Sequence, residues 1–411
     1  MRRVVITGIG AVTPLANNFK DSWKLIKSGF NGIDFITKFD ASNLKWKVAG
    51  ELKGFEPEKF LSKKEIIKLD PFVHYALTSS IMAADDAGLL NLRSEILSSA
   101  GVIIGSSRGG ITTIEKEIHK LYSLGSPQKT LRISSYLMPS TTISMAASYT
   151  AQKLGIKGCC LGISNACASG TNAIGEAYRL IKSGHADIVF AGGTEAPICR
   201  ISVEGYGVSG ALSKREDPSA SRPFDISRDG FVIAEGSCML VLEEIQSAVR
   251  RKANIYAEIV GYSNTTDSYH ITRPYPEGEA RAIMSALKDA NLKTYEIDYI
   301  NAHATATIIG DKAEVKAIKM VFKDKSDIPV SAIKSMTGHM LAASGAFETA
   351  CTALSIKEGI IPPTINIKEI DKDCDINLVI ERKNYPIRNA ITNSFGFGGV
   401  NAVLVLRNIE D

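Results

Sequence analysis

The chain has 411 residues, of which 45% are hydrophobic, 22% charged and 7% aromatic. This composition is ordinary for a folded globular protein and excludes extended disorder, a collagen-like repeat and a coiled coil. Lys and Arg total 48 against 44 Asp and Glu. The resulting charge of +4 is too small to indicate nucleic-acid binding, although a local basic patch could still bind an acidic partner.

Short apolar segments alternate with amphipathic ones, which predicts an α/β fold with a helix-covered sheet. The clearest helical periodicity follows Ser169 and continues to Ile181, with Gly184 as a typical helix end. In chain order, we predict strands at Val4–Thr7, Val102–Ile104, Ile188–Ala191, Met239–Leu242, Tyr256–Val260, Tyr299–Ala302 and Ala402–Leu406.

Two blocks recur in the same order along the chain. The segment SGTNAIGEAYRLIKSGHAD from Ser169 resembles SGAFETACTALSIKEGII from Ser344, and DGFVIAEGSCMLVLEE from Asp229 resembles NSFGFGGVNAVLVLRN from Asn393. Either any two helix–strand units look alike, or the chain is an internal duplication. Duplication predicts two related halves, residues 1–250 and 251–411, with a site where loops from both halves converge.

The cysteine pattern and the apolar segments indicate the compartment. Seven cysteines form no CxxC pair and no Cys/His spacing that suits zinc, so we expect neither a metal site nor disulfides, and a reduced cytoplasmic setting. The start of the chain is typical of a strand and loop rather than of a signal peptide. No uninterrupted apolar stretch of about 18 residues is present, so we expect no membrane span.

The segment SNACASGTNAIG places Cys167 just before the predicted helix that follows Ser169. A thiol at a helix N-terminus lies near a partial positive charge, which predicts a lowered pKa and a nucleophilic thiolate. Small neighbours would let a substrate carbonyl approach backbone N–H groups there. The alternative is an inert buried cysteine. Cys159 and Cys160 look like strand core.

Two histidines are candidate partners of Cys167. His303 ends the apolar strand YINAH, and His339 directly precedes the second copy of the cysteine helix. Pseudo-symmetry would bring His339 and Cys167 face to face, giving a Cys-His-His constellation. Two N–H donors can stabilise one enolate oxygen. Lys334 and Glu348 are expected to fix the protonation and orientation of His339. Each histidine alone would more often be a hydrogen-bonded core residue.

The glycine-rich segment TNSFGFGGVNA is the third region of interest. It lacks the Lys-Ser/Thr of a phosphate loop, and the N-terminal GIG lacks the third glycine of a dinucleotide site, so no cofactor is expected. Phe395 and Phe397 lie between the glycines, and we expect them to form a mobile aromatic wall.

Five motifs together resemble the β-ketoacyl-acyl carrier protein synthases, most closely the elongating type I/II enzymes of the thiolase superfamily. They are ACASGTNAIG around Cys167, NAHATAT around His303, KSMTGH around Lys334 and His339, RPFDISRDGF from Arg222 and NSFGFGGVNA from Asn393. The resemblance covers nearly the whole chain. It implies a thiolase-like fold of two pseudo-symmetric α-β-α-β-α halves in five layers, and a homodimer.

The resemblance also implies a decarboxylative Claisen condensation without a cofactor. Cys167 would carry an acyl group as a thioester, and His303 and His339 would stabilise the enolate formed from malonyl carrier protein. The backbone N–H groups of Cys167 and Phe397 would hold the oxyanion, and Phe397 would act as a gate.

Substrates would arrive on the phosphopantetheine arm of acyl carrier protein. Thr305 and Thr307 would bind that arm through their hydroxyls. Candidates for a basic surface that receives the acidic carrier are Lys63, Lys64, Lys68, Lys129 and Arg132, each of which could instead be an ordinary solvated side chain.

Arg108 departs from the family pattern, because elongating synthases usually carry a bulky apolar residue at this acyl-pocket position. A buried unpaired guanidinium would be costly beside an alkyl chain. Arg108 could shorten the pocket, pair with a polar or acidic group on an unusual acyl chain, or turn towards a dimer interface and pair with an acid there. Ala304 and Ala306 also stand where Gly or Ser is common.

Other functions are less consistent with the residues. A ketosynthase of a specialised polyketide or unusual fatty-acid pathway remains open because of Arg108. A non-catalytic partner subunit would lack the active cysteine, which is present here. A degradative thiolase would carry a second cysteine near the C-terminus, and NSFGFGG has none. The sequence therefore predicts an acyltransferase that performs condensation in fatty acid elongation.

Overall fold

A computed structural model describes residues 2–90, 94–123, 133–323, 325 and 327–409. Within these residues the strands are β1 (Val4–Val12), β2 (Asp34–Phe35), β3 (Val48–Ala49), β4 (Gly101–Gly105), β5 (Cys160–Ile163), β6 (Ile188–Glu195), β7 (Gly236–Glu244), β8 (Ala257–Thr266), β9 (Tyr299–Asn301), β10 (Val330–Ser331), β11 (Ile360–Ile361), β12 (Lys383–Asn384), β13 (Asn389–Gly396) and β14 (Val400–Arg407).

The helices of the same described ranges cover both outer faces and the centre of the molecule. They are α1 (Phe19–Ser28), α2 (Lys63–Lys68), α3 (Pro71–Asp86), α4 (Ser94–Ser99), α5 (Ile111–Ser123), α6 (Leu137–Thr141), α7 (Met145–Leu154), α8 (Ser169–Lys182), α9 (Arg200–Val208), α10 (Ile245–Arg250), α11 (Pro276–Asp289), α12 (Ile308–Val321), α13 (Lys334–Thr337) and α14 (Ala342–Glu358). None of them is both long and apolar enough to cross a membrane.

The main sheet is mixed and has the strand order β10-β9-β13-β14-β8-β1-β7-β6-β4-β5. Its two five-stranded parts are joined where β1 pairs antiparallel with β8. The two parts have the same pattern of strand pairing. In one part β4 pairs parallel with β5 and β6, and in the other β9 pairs parallel with β10 and β13. Each part also has a long antiparallel pair, β1 with β7 and β8 with β14. This is the symmetry that the repeated sequence blocks predict.

The layers follow from where the helices pack. The two repeated helices, α8 and α14, lie side by side between the two parts of the sheet, while α3 and α7 cover the outer face of one part and α11 and α12 that of the other. Gly8 and Gly10 of β1 are required for this packing, because a Cβ at either would lie 2.3 Å or less from a carbonyl oxygen of α3. The five-layer α-β-α-β-α arrangement is therefore present.

The seven predicted strands all lie in the sheet, with end residues Tyr256 and Ala302 just outside it. The prediction for Cys160 is wrong: β5 is an edge strand, and Cys160 is exposed on it rather than buried in strand core. Cys159 precedes β5 and is half-buried. The predicted helix after Ser169 is α8, and Gly184 follows it in a left-handed conformation.

Candidate active site

Cys167 lies at the turn that leads into α8. Ala166 before it has φ of 46°, a left-handed conformation that is uncommon for alanine and turns the chain sharply at this point. The Cys167 Sγ lies 3.0 Å from Nε2 of His339. The openings of the two repeated helices therefore do meet, as pseudo-symmetry predicts.

His339 is buried and is oriented by the helix that follows it. Its Nδ1 lies 3.1 Å from the Oγ of Ser344 in α14. The ring also packs edge-on against Phe231, with centroids 5.3 Å apart. Burial, together with the nearby charge of Lys334, holds the pKa of His339 well below its usual range. His339 is therefore neutral at physiological pH and can accept a proton from the thiol.

His303 faces His339 at a ring-centroid distance of 5.5 Å, with the rings nearly perpendicular. Lys334 Nζ lies 3.3 Å from His303 Nδ1 and donates to the His303 carbonyl oxygen at 2.6 Å. Since an ammonium only donates, Nδ1 is the acceptor, and the ring proton of His303 is on Nε2. Burial and the Lys334 charge lower the pKa of His303 well below its usual range.

Lys334 and Glu348 form a buried ion pair, with side chains 1% and 2% exposed. Burial raises the pKa of Glu348 to about 7, and Lys334 opposes that rise. The expectation that this pair orients His339 is corrected by these contacts. Lys334 hydrogen-bonds His303 instead, because α13 directs its side chain there, while its charge acts on the pKa of both histidines.

The expected lowering of the Cys167 pKa is also wrong in direction. Burial raises the pKa of the Cys167 thiol to about 11, although Lys334, the Phe397 backbone N–H and Arg108 act to lower it. Desolvation of the thiolate thus outweighs these neighbouring charges and the Phe397 N–H. The thiol is protonated at neutral pH and needs the neighbouring imidazole to remove its proton.

The end of β13 closes the site from the opposite side. The backbone N–H of Phe397 is close enough to the Cys167 sulfur to act against the rise of the thiol pKa. Gly396 permits this approach, because a Cβ there would lie 3.3 Å from the Cys167 backbone nitrogen. Phe395 packs edge-on against His303, with centroids 5.9 Å apart, and Phe397 is 38% exposed.

A cavity of about 360 Å³ opens from Cys167 to the surface, and both histidines and both phenylalanines line it. Thr305 and Thr307 line it as well, with their hydroxyl oxygens 3.2 Å apart. The Thr307 hydroxyl additionally caps α12 by accepting from the Gly310 N–H. Among the described residues, no His, Cys, Asp and Glu cluster is suited to a metal ion.

Sequence reasoning missed Ser344 and Glu314. Glu314 is buried and accepts from the backbone N–H groups of His303 and Ala304 at 2.8 and 2.7 Å, so it holds the histidine loop in place. The available signal was a carboxylate on the same helical face as the apolar residues Ala317, Ile318 and Val321. Ala304 and Ala306 have φ of 27° and 67°, which explains why glycine is common at these positions.

Arg108 is exposed in the single chain, and its Nε donates to the Tyr206 hydroxyl at 2.8 Å. Tyr206 lines the cavity. Arg108 is therefore not a buried unpaired guanidinium. Of the basic-surface candidates, Lys63 and Lys64 are exposed on α2, and Lys68 stacks on Tyr136. Lys129 and Arg132 lie outside the described residues.

The fold and the site together define a condensing enzyme of the thiolase-fold class, with a cysteine facing two neutral histidines. Residues 1–248 match the family model of the β-ketoacyl synthase N-terminal domain, and residues 256–368 match that of the C-terminal domain. The chain belongs to the β-ketoacyl synthase family and is an acyl-transferring enzyme.

Named relatives cover the full length. The chain is 44% identical to 3-oxoacyl-[acyl-carrier-protein] synthase 2 of Staphylococcus aureus (strain COL) and 43% identical to that of Synechocystis sp., in each case over 100% of this chain and 99% of the relative. A β-ketoacyl synthase structure from Burkholderia phymatum is similar at a TM-score of 0.91, with 34% identity and 100% of both chains covered. The ishigamide ketosynthase/chain length factor is similar at 0.92, with 33% identity and 99% of both chains covered.

Proposed function

We propose that the enzyme joins an acyl group carried on Cys167 to the malonyl group of malonyl-acyl carrier protein, giving 3-oxoacyl-acyl carrier protein and CO₂ in fatty acid elongation. The observation that carries this proposal is the 3.0 Å contact between Cys167 Sγ and His339 Nε2, with His303 facing the same cavity. One residue accepts the acyl group, and two neutral imidazoles remain for the second substrate.

In the first half-reaction, the Cys167 S–H proton passes to His339 Nε2 as the sulfur attacks the incoming thioester carbonyl. The oxyanion accepts from the backbone N–H groups of Cys167 and Phe397. When the bond to the carrier's sulfur breaks, His339 returns the proton to that sulfur. The acyl-cysteine and the free carrier thiol are the products, with no net change in protons.

In the second half-reaction, the bond between the malonyl carboxylate and its methylene carbon breaks, CO₂ leaves, and the electron pair forms an enolate. Its oxygen accepts from Nε2–H of His303 and of His339. The Ser344 hydroxyl supports either tautomer of His339, because it can both donate and accept. The enolate carbon then attacks the acyl carbonyl, the bond to Cys167 breaks, and the thiolate takes up one proton per turnover.

The carrier protein is the proposed partner in both half-reactions. A solved type II polyketide ketosynthase that is 34% identical, with a TM-score of 0.90 over 99% of this chain and 100% of that one, is in complex with its acyl-carrier protein and bound to a hexaketide. Thr305 and Thr307 line the cavity where a pantetheine arm would pass. Lys63 and Lys64 provide exposed positive charge for an acidic carrier, and Phe397 is the gate between solvent and Cys167.

The proposed division at residue 250 separates the nucleophile from the histidines. Residues 1–250 supply Cys167 and strands β1 to β7, and residues 251–411 supply His303, His339 and strands β8 to β14. Proteolysis between α10 and β8 tests the boundary, because two halves that remain associated after cleavage there are expected to keep the cavity intact.

A homodimer through β5 is part of the proposal. The strand lies at an open end of the sheet, with Cys160 and Leu161 exposed, whereas β10 at the other end is buried. Exposed edge strands invite pairing with another chain. We expect a dimer by light scattering that Leu161→Lys dissociates and the control Met284→Lys does not. A wild-type monomer contradicts this part of the proposal.

The experiment that tests the proposed function is mass spectrometry of the protein after incubation with acyl carrier proteins. We expect an acyl group on Cys167, and its transfer to a chain two carbons longer once malonyl carrier protein is added. The Cys167→Ser variant is the matched control, because it changes a single atom. No acyl group on Cys167 from any chain, in a folded protein, contradicts the proposal.

A further inference from the structure

Arg108 and Tyr206 form a polar pair, of which Tyr206 lines the cavity. The Arg108 backbone N–H donates to the buried carboxylate of Glu195 at 3.0 Å, and that carboxylate also accepts from the Ser107 N–H at 2.9 Å. The side chain is held separately, by the 2.8 Å bond from its Nε to the Tyr206 hydroxyl and by stacking at 5.1 Å from the ring centroid. The guanidinium is therefore positioned before any substrate binds.

The pair leaves hydrogen-bond donors unused. A guanidinium only donates, so the Tyr206 oxygen is the acceptor in this contact and its own hydrogen is free to donate. Burial raises the pKa of Tyr206, which keeps the phenol protonated. Within the described part of the chain, Arg108 forms no ion pair with a carboxylate, so its charge is not neutralised by direct contact.

The surroundings of the Tyr206 ring are apolar. Tyr206 packs edge-on against Phe231, with centroids 5.5 Å apart, and Phe231 packs in turn against His339. Cys167 and Tyr206 border one hydrophobic cluster that contains Leu341. Burial raises the pKa of the Cys167 thiol, and the Arg108 charge acts to lower it. Arg108 is therefore close enough to act electrostatically on the Cys167 sulfur.

Tyr206 lines the same cavity as Cys167, Phe231 and Leu341, so an acyl chain on Cys167 that packs against these apolar side chains would approach the Tyr206 hydroxyl and the Arg108 side chain bonded to it. A saturated chain would cover these donors without satisfying them, which is costly. A chain that carries an oxygen at this point would satisfy them.

We infer that Arg108 and Tyr206 are specificity-determining residues that select acyl chains bearing a hydrogen-bond-accepting oxygen beyond the thioester. The inference rests on the proposed function, since it concerns the acyl group that Cys167 carries. A keto or hydroxyl oxygen and a terminal carboxylate share this chemistry, with the neutral oxygens matched to Tyr206 and the carboxylate to Arg108.

The test is a competition between pantetheine thioesters of equal chain length: saturated, keto- or hydroxyl-substituted, and carboxylate-terminated. Initial rates of acylation at Cys167 are read by mass spectrometry. We expect the wild type to prefer an oxygenated chain by about tenfold, which corresponds to about 1.4 kcal/mol. Tyr206→Phe and Arg108→Ile are the test variants. Tyr122→Phe and Arg250→Ile, both at exposed positions, are the matched controls.

The ratio of two rates within one variant separates selectivity from any general loss of activity. Loss of the preference for neutral oxygens in Tyr206→Phe, or for the carboxylate in Arg108→Ile, supports the inference and identifies the oxygen. Equal acylation by saturated and oxygenated chains in the wild type overturns it, as does a preference that both test variants retain. Absence of acylation by every chain overturns the proposed function instead, and the inference with it.

Discussion

Replacing Lys334 with methionine removes the buried cation that contacts His303. Its side chain is 1% exposed and pairs with Glu348, whose side chain is 2% exposed, and it also donates to the His303 carbonyl. Breaking a buried ion pair from one side costs about 3–5 kcal/mol, because Glu348 must then either stay charged without its partner or take up a proton. We expect Lys334→Met to lower the free energy of unfolding by that amount.

A second substitution distinguishes the lost pair from lost packing. In Lys334→Met/Glu348→Leu no charge is left unpaired, so the double variant is expected to regain at least about 2 kcal/mol of the loss. The matched control is Lys24→Met, which breaks an exposed pair with Asp21 and is expected to change stability little. Urea unfolding midpoints measure all three variants. A double variant that is no more stable than Lys334→Met would refute the reasoning.

The same variant also reports on the chemistry. Lys334 donates to Nδ1 of His303 and lowers its pKa, in addition to the larger effect of burial. Without it, the pKa of His303 rises and its tautomer is no longer fixed. We expect malonyl decarboxylation to slow by about 10²-fold or more, with its acidic limb moved to higher pH, while acylation of Cys167 falls less. An unchanged pH profile would contradict the assignment of the His303 proton to Nε2.

Three further predictions follow from single positions. Burial and neighbouring carboxylates raise the pKa of Glu279 well above its usual value, so its protonated form stabilises the folded state at low pH and this stability is lost as pH rises through the folded pKa. The urea concentration at the unfolding midpoint should therefore fall between pH ~5 and pH ~8 in the wild type. The fall should be the same in the exposed control variant Glu277→Gln and smaller in Glu279→Gln. Ala306→Gly should be neutral or stabilise by up to about 1 kcal/mol in thermal unfolding, since it relieves a φ of 67°; a larger loss than that contradicts the strain argument. Ser344→Ala should slow Cys167 acylation by about tenfold, because it removes the partner of His339 Nδ1, and an unchanged rate would show that packing alone orients the ring.

The sequence predicted the elements whose signal is local and apolar. Strands such as β6 are buried on both faces, and a run like IVFAG predicts this directly. In contrast, β13 was not predicted. Its residues Thr392 and Asn393 are polar yet buried, because Asn393 donates to Glu314 beneath the histidine loop. A strand that supplies polar contacts to a site loses the apolar pattern by which strands are recognised.

For the site, the identities of Cys167, His303 and His339 and the meeting of Cys167 with His339 followed from motifs and from the repeat, but the residues that orient the two histidines did not. Lys334 begins a helix of four residues, whose direction no periodicity can indicate, so its contact with His303 rather than His339 depended on tertiary packing. The direction of the Cys167 pKa shift failed for a related reason. A helix N-terminus is visible in a sequence, whereas the depth of burial that outweighs it is set by both halves of the fold.

These pKa directions describe how the site controls reactivity. The resting site holds a neutral thiol beside a neutral imidazole. The buried Lys334 and Glu348 nearby form an ion pair with each other. A thiolate in this cavity would be strongly desolvated, so in the proposed mechanism it would become accessible only when an oxyanion forms at the Phe397 N–H and the proton moves to His339 in the same step. Reactivity is thereby tied to the arrival of a thioester that fits the cavity. Selection at the cavity wall by Tyr206 and Arg108 would then act on the rate of acylation itself, because only a well-seated acyl chain places its carbonyl against Cys167.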